Sequence, residues 1–223
     1  MKGYLAVFMK SPGTRAVKTR LQSAFSEEST HRLYGAFVED TLEKISDFPC
    51  DVKVICTLGK PPPRNLFVPR HGEAAYWLQE GVDLGERLRH YFDRSFKEGA
   101  GKSVVIGSDS PTLPVSYLKE AFSLLDRKEL VIGPSLDGGY YLIGMTSPHP
   151  ELFNNISWGT GDVLERTIVQ NPHLEGKWAF LDSWYDVDTA EDLLFLKTHL
   201  DRMKKAGEDL PQRTSRILSK LKV

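Results

Sequence analysis

Ser103-Val104-Val105-Ile106-Gly107-Ser108-Asp109-Ser110-Pro111-Thr112-Leu113 is the stretch on which the fold turns. Its run Val104-Val105-Ile106 is short, apolar and β-branched, the pattern of a central strand covered on both faces. Gly107 lets the backbone turn sharply, and Pro111 ends regular pairing. Asp109 is thereby presented at the carboxyl end of a strand, the edge where open α/β sheets bind ligands. A carboxylate there needs a partner, because an unpaired buried charge is strongly destabilising. A divalent cation is the natural one.

Working outward, strands and helices alternate, which predicts an α/β fold with a mostly parallel sheet covered on both faces. Strands are expected at Tyr4–Phe8, Asp51–Thr57, 103–107, Leu130–Gly133, Tyr140–Met145 and Trp178–Leu181. The short gap before Tyr140 predicts that this strand pairs antiparallel. Helices are expected at Ser29–Ile45, Asp83–Lys97, Pro114–Asp126 and Gly161–Gln170. The stripe Leu84, Leu88, Tyr91, Phe92 and Phe96 supports the second of these. A final long helix begins at a capping-box pair, Thr189 with Asp192. Pro61-Pro62-Pro63 reads as a stiff connector. The main domain is expected over 1–206. Residues 207–223 follow as a hinge and a basic amphipathic helix carrying Arg213, Arg216, Lys220 and Lys222, packed on the domain or on a second copy of the chain as a homodimer.

The 223 residues suffice for one well-filled α/β domain. Formal net charge is −1, which argues against broad binding to nucleic acid or anionic membrane. Cys50 and Cys56 are the only cysteines, so neither a disulfide framework nor a CxxC motif is present. The six histidines lie singly without zinc-ligand spacing. No run has the length of a membrane span, and residues 2–9 lack the features of a signal peptide. A reduced, cytoplasmic setting is the expectation.

Three further stretches carry potential chemistry. The loop Lys10-Ser11-Pro-Gly13-Thr-Arg15-Ala-Val-Lys18-Thr-Arg20 follows the first strand and gathers four cations within eleven residues. A polyphosphate wants this arrangement, with bidentate contacts from Arg and mobile point charges from Lys. The alternative is a solvated basic loop, and neither the GxxxxGK[ST] nor the GxGxxG pattern is present. Asp137-Gly138-Gly139-Tyr140-Tyr141 follows another strand and reads either as an anion-binding turn or as a hairpin turn. Asp186 and Asp188 are two apart, so in extended chain they point the same way, and paired carboxylates repel unless a cation sits between them. Helix capping accounts for Asp188, Thr189, Glu191 and Asp192 but not for Asp186. Together these suggest Mg2+ or Mn2+ on Asp109, Asp186 and Asp188, opposite phosphates neutralised by Arg15, Lys18 and Arg20. Trp158-Gly-Thr160-Gly161 reads as an apolar anchor with a Thr N-cap, or as one wall of an acceptor pocket.

The order of these motifs resembles the nucleotide-diphospho-sugar transferase superfamily, with its GT-A fold. More closely it resembles the glycosyltransferase-like family known as radical-SAM/selenodomain-associated transferase type 1. The matching stretches are Lys10-Ser-Pro with Val17-Lys-Thr-Arg-Leu21; Asp83-Leu-Gly85-Glu86-Arg-Leu88; Gly107-Ser108-Asp109-Ser-Pro111; Asp137-Gly-Gly-Tyr-Tyr141; and Asp186-Val-Asp188-Thr with Glu191-Asp-Leu193.

The resemblance implies a single three-layer αβα domain of Rossmann-like type. It implies a nucleotide or nucleotide-sugar over Lys10, Ser11, Arg15, Lys18, Arg20, Gly85, Glu86 and Ser108. Glu86 is either a contact to base or ribose or a first-turn glutamate that favours the helix dipole. It further implies a metal on Asp109 with the late aspartates as second anchor, Lys18 and Asp109 as the catalytic pair, and a small-molecule acceptor near Asp137, Gly138, Gly139 and Tyr140. The Gly-Gly-x-Gly-Thr-Arg signature of sugar-phosphate nucleotidyltransferases is replaced here by Ser11-Pro-Gly-Thr-Arg15, which keeps one glycine. Three activities are therefore in play: glycosyl transfer from an NDP-sugar, nucleotidyl transfer of the phospholactate-guanylyltransferase kind, and nucleotide binding without catalysis.

Overall fold

Val7 of the first strand lies between Ile55 and Ile106 in parallel register, and that triplet sits at the centre of a seven-stranded sheet. The computed structural model describes residues 1–11, 17–61 and 67–221. The strands are β1 (Lys2–Lys10), β2 (Val52–Leu58), β3 (Glu73–Leu78), β4 (Ala100–Gly107), β5 (Leu130–Pro134), β6 (Tyr140–Met145) and β7 (Trp178–Phe180). They are ordered β3-β2-β1-β4-β6-β5-β7. All run parallel except β6, which pairs antiparallel with both β4 and β5 as expected. The α/β architecture with a mostly parallel mixed sheet is the one expected from the sequence.

Alternation along β1 builds the two covered faces. Leu5, Val7 and Met9 pack with Tyr34 and Val38 of α1 (Glu27–Ser46) and Leu118 of α3 (Val115–Leu124). Tyr4, Ala6 and Phe8 pack on the other side with Leu88, Tyr91 and Phe92 of α2 (Leu84–Lys97). The same face carries α4 (Val163–Val169), whose Leu164 packs at the margin of that cluster. Each fully buried aliphatic or aromatic side chain contributes about 1.5–3 kcal/mol, so continuous apolar runs such as Val104–Ile106 hold the layers together.

Helix ends follow from local chemistry. The Asp83 carboxylate accepts from Glu86 N at 2.8 Å and caps α2. The full Thr189–Asp192 capping box starts α5 (Ala190–Ala206), and left-handed Gly207, at φ 72°, ends it. Beyond the glycine, α6 (Gln212–Leu218) packs on α1, with Leu218 against Leu33 and Phe37. No side chain of its own caps α6. The buried Asp40 of α1 does so instead, accepting from Arg213 N at 3.1 Å and Thr214 N at 2.7 Å.

Two readings need correction. β3 was not expected, since Glu73-Ala-Ala-Tyr-Trp-Leu78 has neither β-branched residues nor alternating polarity. It forms as an edge strand because Trp77 packs on Tyr91 of α2, with ring centroids 5.6 Å apart, and the strand pairs along β2 from Val52 to Thr57. Thr160 is not a helix cap: its hydroxyl donates to Ser157 O at 2.6 Å and to the Asp162 carboxylate, and α4 begins only at Val163. The triproline falls largely outside the described residues. No described helix is long and apolar enough to cross a membrane.

Candidate functional site

The carboxyl ends of β1, β2 and β4, the turn between β5 and β6 and the amino end of β6 meet around a cleft of about 470 Å³. Antiparallel β6 matters here. Because it runs backwards, the turn that precedes it lies at the same sheet edge as Asp109. That turn, Ser135 to Gly139, closes through Ser135 N to Gly139 O at 3.0 Å and Gly138 N to Ser135 O at 3.1 Å. Asp137 Oδ1 accepts from Gly139 N at 3.0 Å, so the stretch is a hairpin turn whose amide is satisfied internally. Gly138 has φ +89°, and a Cβ there would sit 1.9 Å from Gly161 O. Only glycine lets the hairpin lie against the 158–162 loop.

Lys18, Asp109 and Asp188 form the centre of the site. The Lys18 ammonium is 2.7 Å from Asp109 Oδ1 and 2.6 Å from Asp188 Oδ1. Its side chain is 4% exposed, whereas the two carboxylates are 41% and 42% exposed. Burial by itself would lower the lysine's pKa, but Asp109 and then Asp188 outweigh it and hold the ammonium above its ordinary value. Val187 N donates to Asp109 O at 3.0 Å, which locks the two carboxylate-bearing segments together.

The three carboxylates expected as one ligand set divide. Asp186 accepts from the hydroxyls of Ser110 and, at 2.9 Å, Ser135. Burial pushes its carboxyl up to about 6, opposed by those hydroxyls and reinforced by the charge of Asp109. Among the described residues no three of His, Cys, Asp or Glu converge as a metal-binding cluster. The pair Asp109 and Asp188 remains. Asp109 Oδ1 is buried and, among the described residues, accepts no well-directed hydrogen bond, its one partner there being the Lys18 charge. Two hard, partly exposed carboxylates fit Mg2+ or Mn2+, which need one or two such ligands when substrate phosphates supply the rest.

The other predicted residues fall in distinct places. Lys10, Arg20, Ser108, Asp137, Gly139 and Tyr140 line the cleft with Lys18, Asp109, Asp186 and Asp188. Ser108 Oγ lies 3.2 Å from Tyr34 Oη, and that hydroxyl also accepts from Lys10 N at 2.8 Å. Burial, and then the Asp109 charge, push Tyr34 up to about 12. Ser11 does not line the cleft; it donates to Leu58 O at 3.2 Å and to Lys60 O. Glu86 does not line it either and accepts from Val82 N at 2.9 Å, a helix-capping contact. Gly85 works from behind: a Cβ on it would come within 2.6 Å of Trp158 Nε1. Arg15 lies outside the described residues.

Two lining residues, Gln79 and Arg87, were not singled out from sequence. Gln79 bridges the ends of two strands, its amide donating to Met9 O at 3.1 Å and Cys56 O at 2.8 Å. Arg87 holds the preceding loop through Gly81 O and Val82 O, both at 3.1 Å. Trp158 stands edge-on to Tyr140, with ring centroids 6.2 Å apart, and faces the cleft with Gly159 and Thr160. Trp158 also packs at the margin of the core, so it is an apolar anchor and a wall of the cleft at once.

The fold has relatives. A solved candidate nucleotide-diphospho-sugar transferase from Desulfovibrio desulfuricans G20 is 30% identical, with TM-score 0.84, over 98% of this chain and 94% of that one. The 4-diphosphocytidyl-2C-methyl-D-erythritol synthase of Anaerococcus prevotii matches at TM-score 0.57 and 10% identity, over 90% of this chain and 97% of that one. CMP:2-keto-3-deoxy-manno-octonic acid synthetase, solved with CTP, matches at TM-score 0.55 and 10% identity, over 91% and 99%. These last two show the fold alone. No curated protein matches the sequence. Residues 41–160 match the family described as "uncharacterized protein conserved in bacteria". With more than half its length inside that match, the chain belongs to the DUF2064 family and has the fold of nucleotide-diphospho-sugar transferases.

Proposed function

We propose that this protein is a divalent-metal-dependent transferase that uses a nucleotide-activated donor, an NDP-sugar, and passes the glycosyl group to a small-molecule acceptor. The finer kinship is with the radical-SAM/selenodomain-associated transferase type 1 group. The observation that carries the reading is the Asp109–Lys18–Asp188 cluster at the strand ends, flanked within one cleft by Lys10 and Arg20. The 30% identity to a candidate nucleotide-diphospho-sugar transferase supports it.

In this reading Asp109 and Asp188 hold Mg2+ or Mn2+, which when bound neutralises charge on the leaving diphosphate. Asp186 orients its neighbours from its two serine hydroxyls. Lys10, Lys18 and Arg20 compensate the phosphates, and Ser108 and Tyr34 fix the loop that carries Lys10. Trp158 and Tyr140 give an apolar wall for a sugar ring, and Asp137 accepts from its hydroxyls. Catalysis is then positioning plus preorganised charge. The setting is cytoplasmic.

Titration calorimetry with UDP-, GDP-, ADP- and CDP-sugars, with and without Mn2+, tests this. Metal-dependent binding of one of them is expected; no binding of any removes the proposal. Pyrophosphate release from an NTP in the presence of phosphorylated acceptors would assign nucleotidyl transfer instead.

A further inference from the structure

Lys18 is turned inward. Its ammonium lies at contact distance from one oxygen of each carboxylate that would hold a metal, 2.7 Å from Asp109 and 2.6 Å from Asp188. The lysine is almost wholly enclosed while the two carboxylates stay partly open to the cleft. Its backbone is left-handed, φ +49°, a conformation that a residue with a Cβ adopts only when its surroundings hold it there. One cation already occupies the space between the two oxygens. A divalent ion cannot share that space, because the two positive charges would repel and Nζ leaves no gap for a second ion.

We propose that Lys18 is an internal counter-ion of the Asp109–Asp188 pair, which a divalent metal must displace, and that the displaced ammonium is the one that meets the phosphates. The proposal rests on the metal-dependent reading above and goes beyond it by giving binding an order. Without a polyphosphate the lysine closes the metal site. A polyphosphate draws the ammonium off and frees both carboxylates. Metal and phosphate then strengthen each other's binding, since the coupling is reciprocal.

Mn2+ titration followed by electron paramagnetic resonance, with no nucleotide present, tests the order. Lys18→Met and Lys18→Gln should each bind Mn2+ about tenfold more tightly than the wild type. Adding Asp109→Asn to Lys18→Met should return the affinity to the wild-type value or below. Unchanged or weaker binding by the lysine variants overturns the proposal, as does a gain that survives Asp109→Asn. A second measurement needs no variant. Methylenediphosphonate added to the wild type should raise Mn2+ uptake by the protein about tenfold above that of the chelate alone; no enhancement overturns it. Neither measurement involves a nucleotide-sugar. A protein that binds no nucleotide-sugar but gains Mn2+ affinity on Lys18→Met keeps this inference and loses the proposed function, and the opposite pattern does the reverse.

Discussion

The two halves of the cleft are built by different means. On the β1–β4 side the site is made of charges: Lys10, Lys18 and Arg20 against Asp109 and Asp188. On the β6 side it is made of shape: Tyr140 and Trp158 held by two close backbone approaches, Gly85 under Trp158 and Gly138 against Gly161. Charges can be exchanged without moving the chain. Shape set by a missing Cβ cannot. The first half is therefore sensitive to side-chain chemistry in its binding, and the second to bulk in its stability.

This contrast can be broken in four places. The largest effect is expected at Gly138→Ala, where a left-handed backbone and a clash with a carbonyl oxygen combine. It should cost about 4 kcal/mol in urea denaturation. A loss under 1 kcal/mol would mean the hairpin moves freely and the aromatic half is not rigid. Asp109→Asn comes next. It should weaken metal-dependent nucleotide-sugar binding about 100-fold by calorimetry while the far-ultraviolet circular dichroism stays unchanged. Trp158→Ala should lower affinity for the NDP-sugar about tenfold and leave that for the bare nucleoside diphosphate unchanged. Equal losses for both would move the tryptophan to the nucleotide end. Thr189→Ala removes the hydroxyl that caps α5 beside Asp188. About 1 kcal/mol of stability should go with it, read as a small fall in melting temperature.

The charged half was the legible one. Asp109 could be read from a β-branched run ended by glycine and proline, because strand chemistry and turn chemistry agree there. The Thr189–Asp192 box and the antiparallel β6 were readable for the same reason: each is encoded within a few residues. What local pattern could not supply was partnership across the chain. Lys18 and Asp188 are 170 residues apart, and nothing near either one says that they meet. Asp186 and Asp188 share a strand-like spacing, yet one turns to two serines and the other to a lysine. The choice is made by Ser110 and Ser135, which arrive from other loops. Glu86 looked equally suited to a ligand or to its helix, and the nearest unsatisfied amide, Val82 N, took it. β3 was missed because an edge strand can be recruited by one tryptophan and a neighbour's free backbone.

The cap that Asp40 provides for α6 sets a schedule. The carboxylate and the amides it holds are separated by more than 170 positions. During synthesis, at about 10 residues per second, α6 emerges well after α1. For about 17 seconds Leu33 and Phe37 have no cover from α6, and Asp40 lacks those two donors. The Rossmann-like sheet can assemble in that interval, but its outer helical layer closes only when α6 arrives. A nascent chain stalled before residue 212 would expose an apolar stripe on α1, the kind of surface that chaperones recognise.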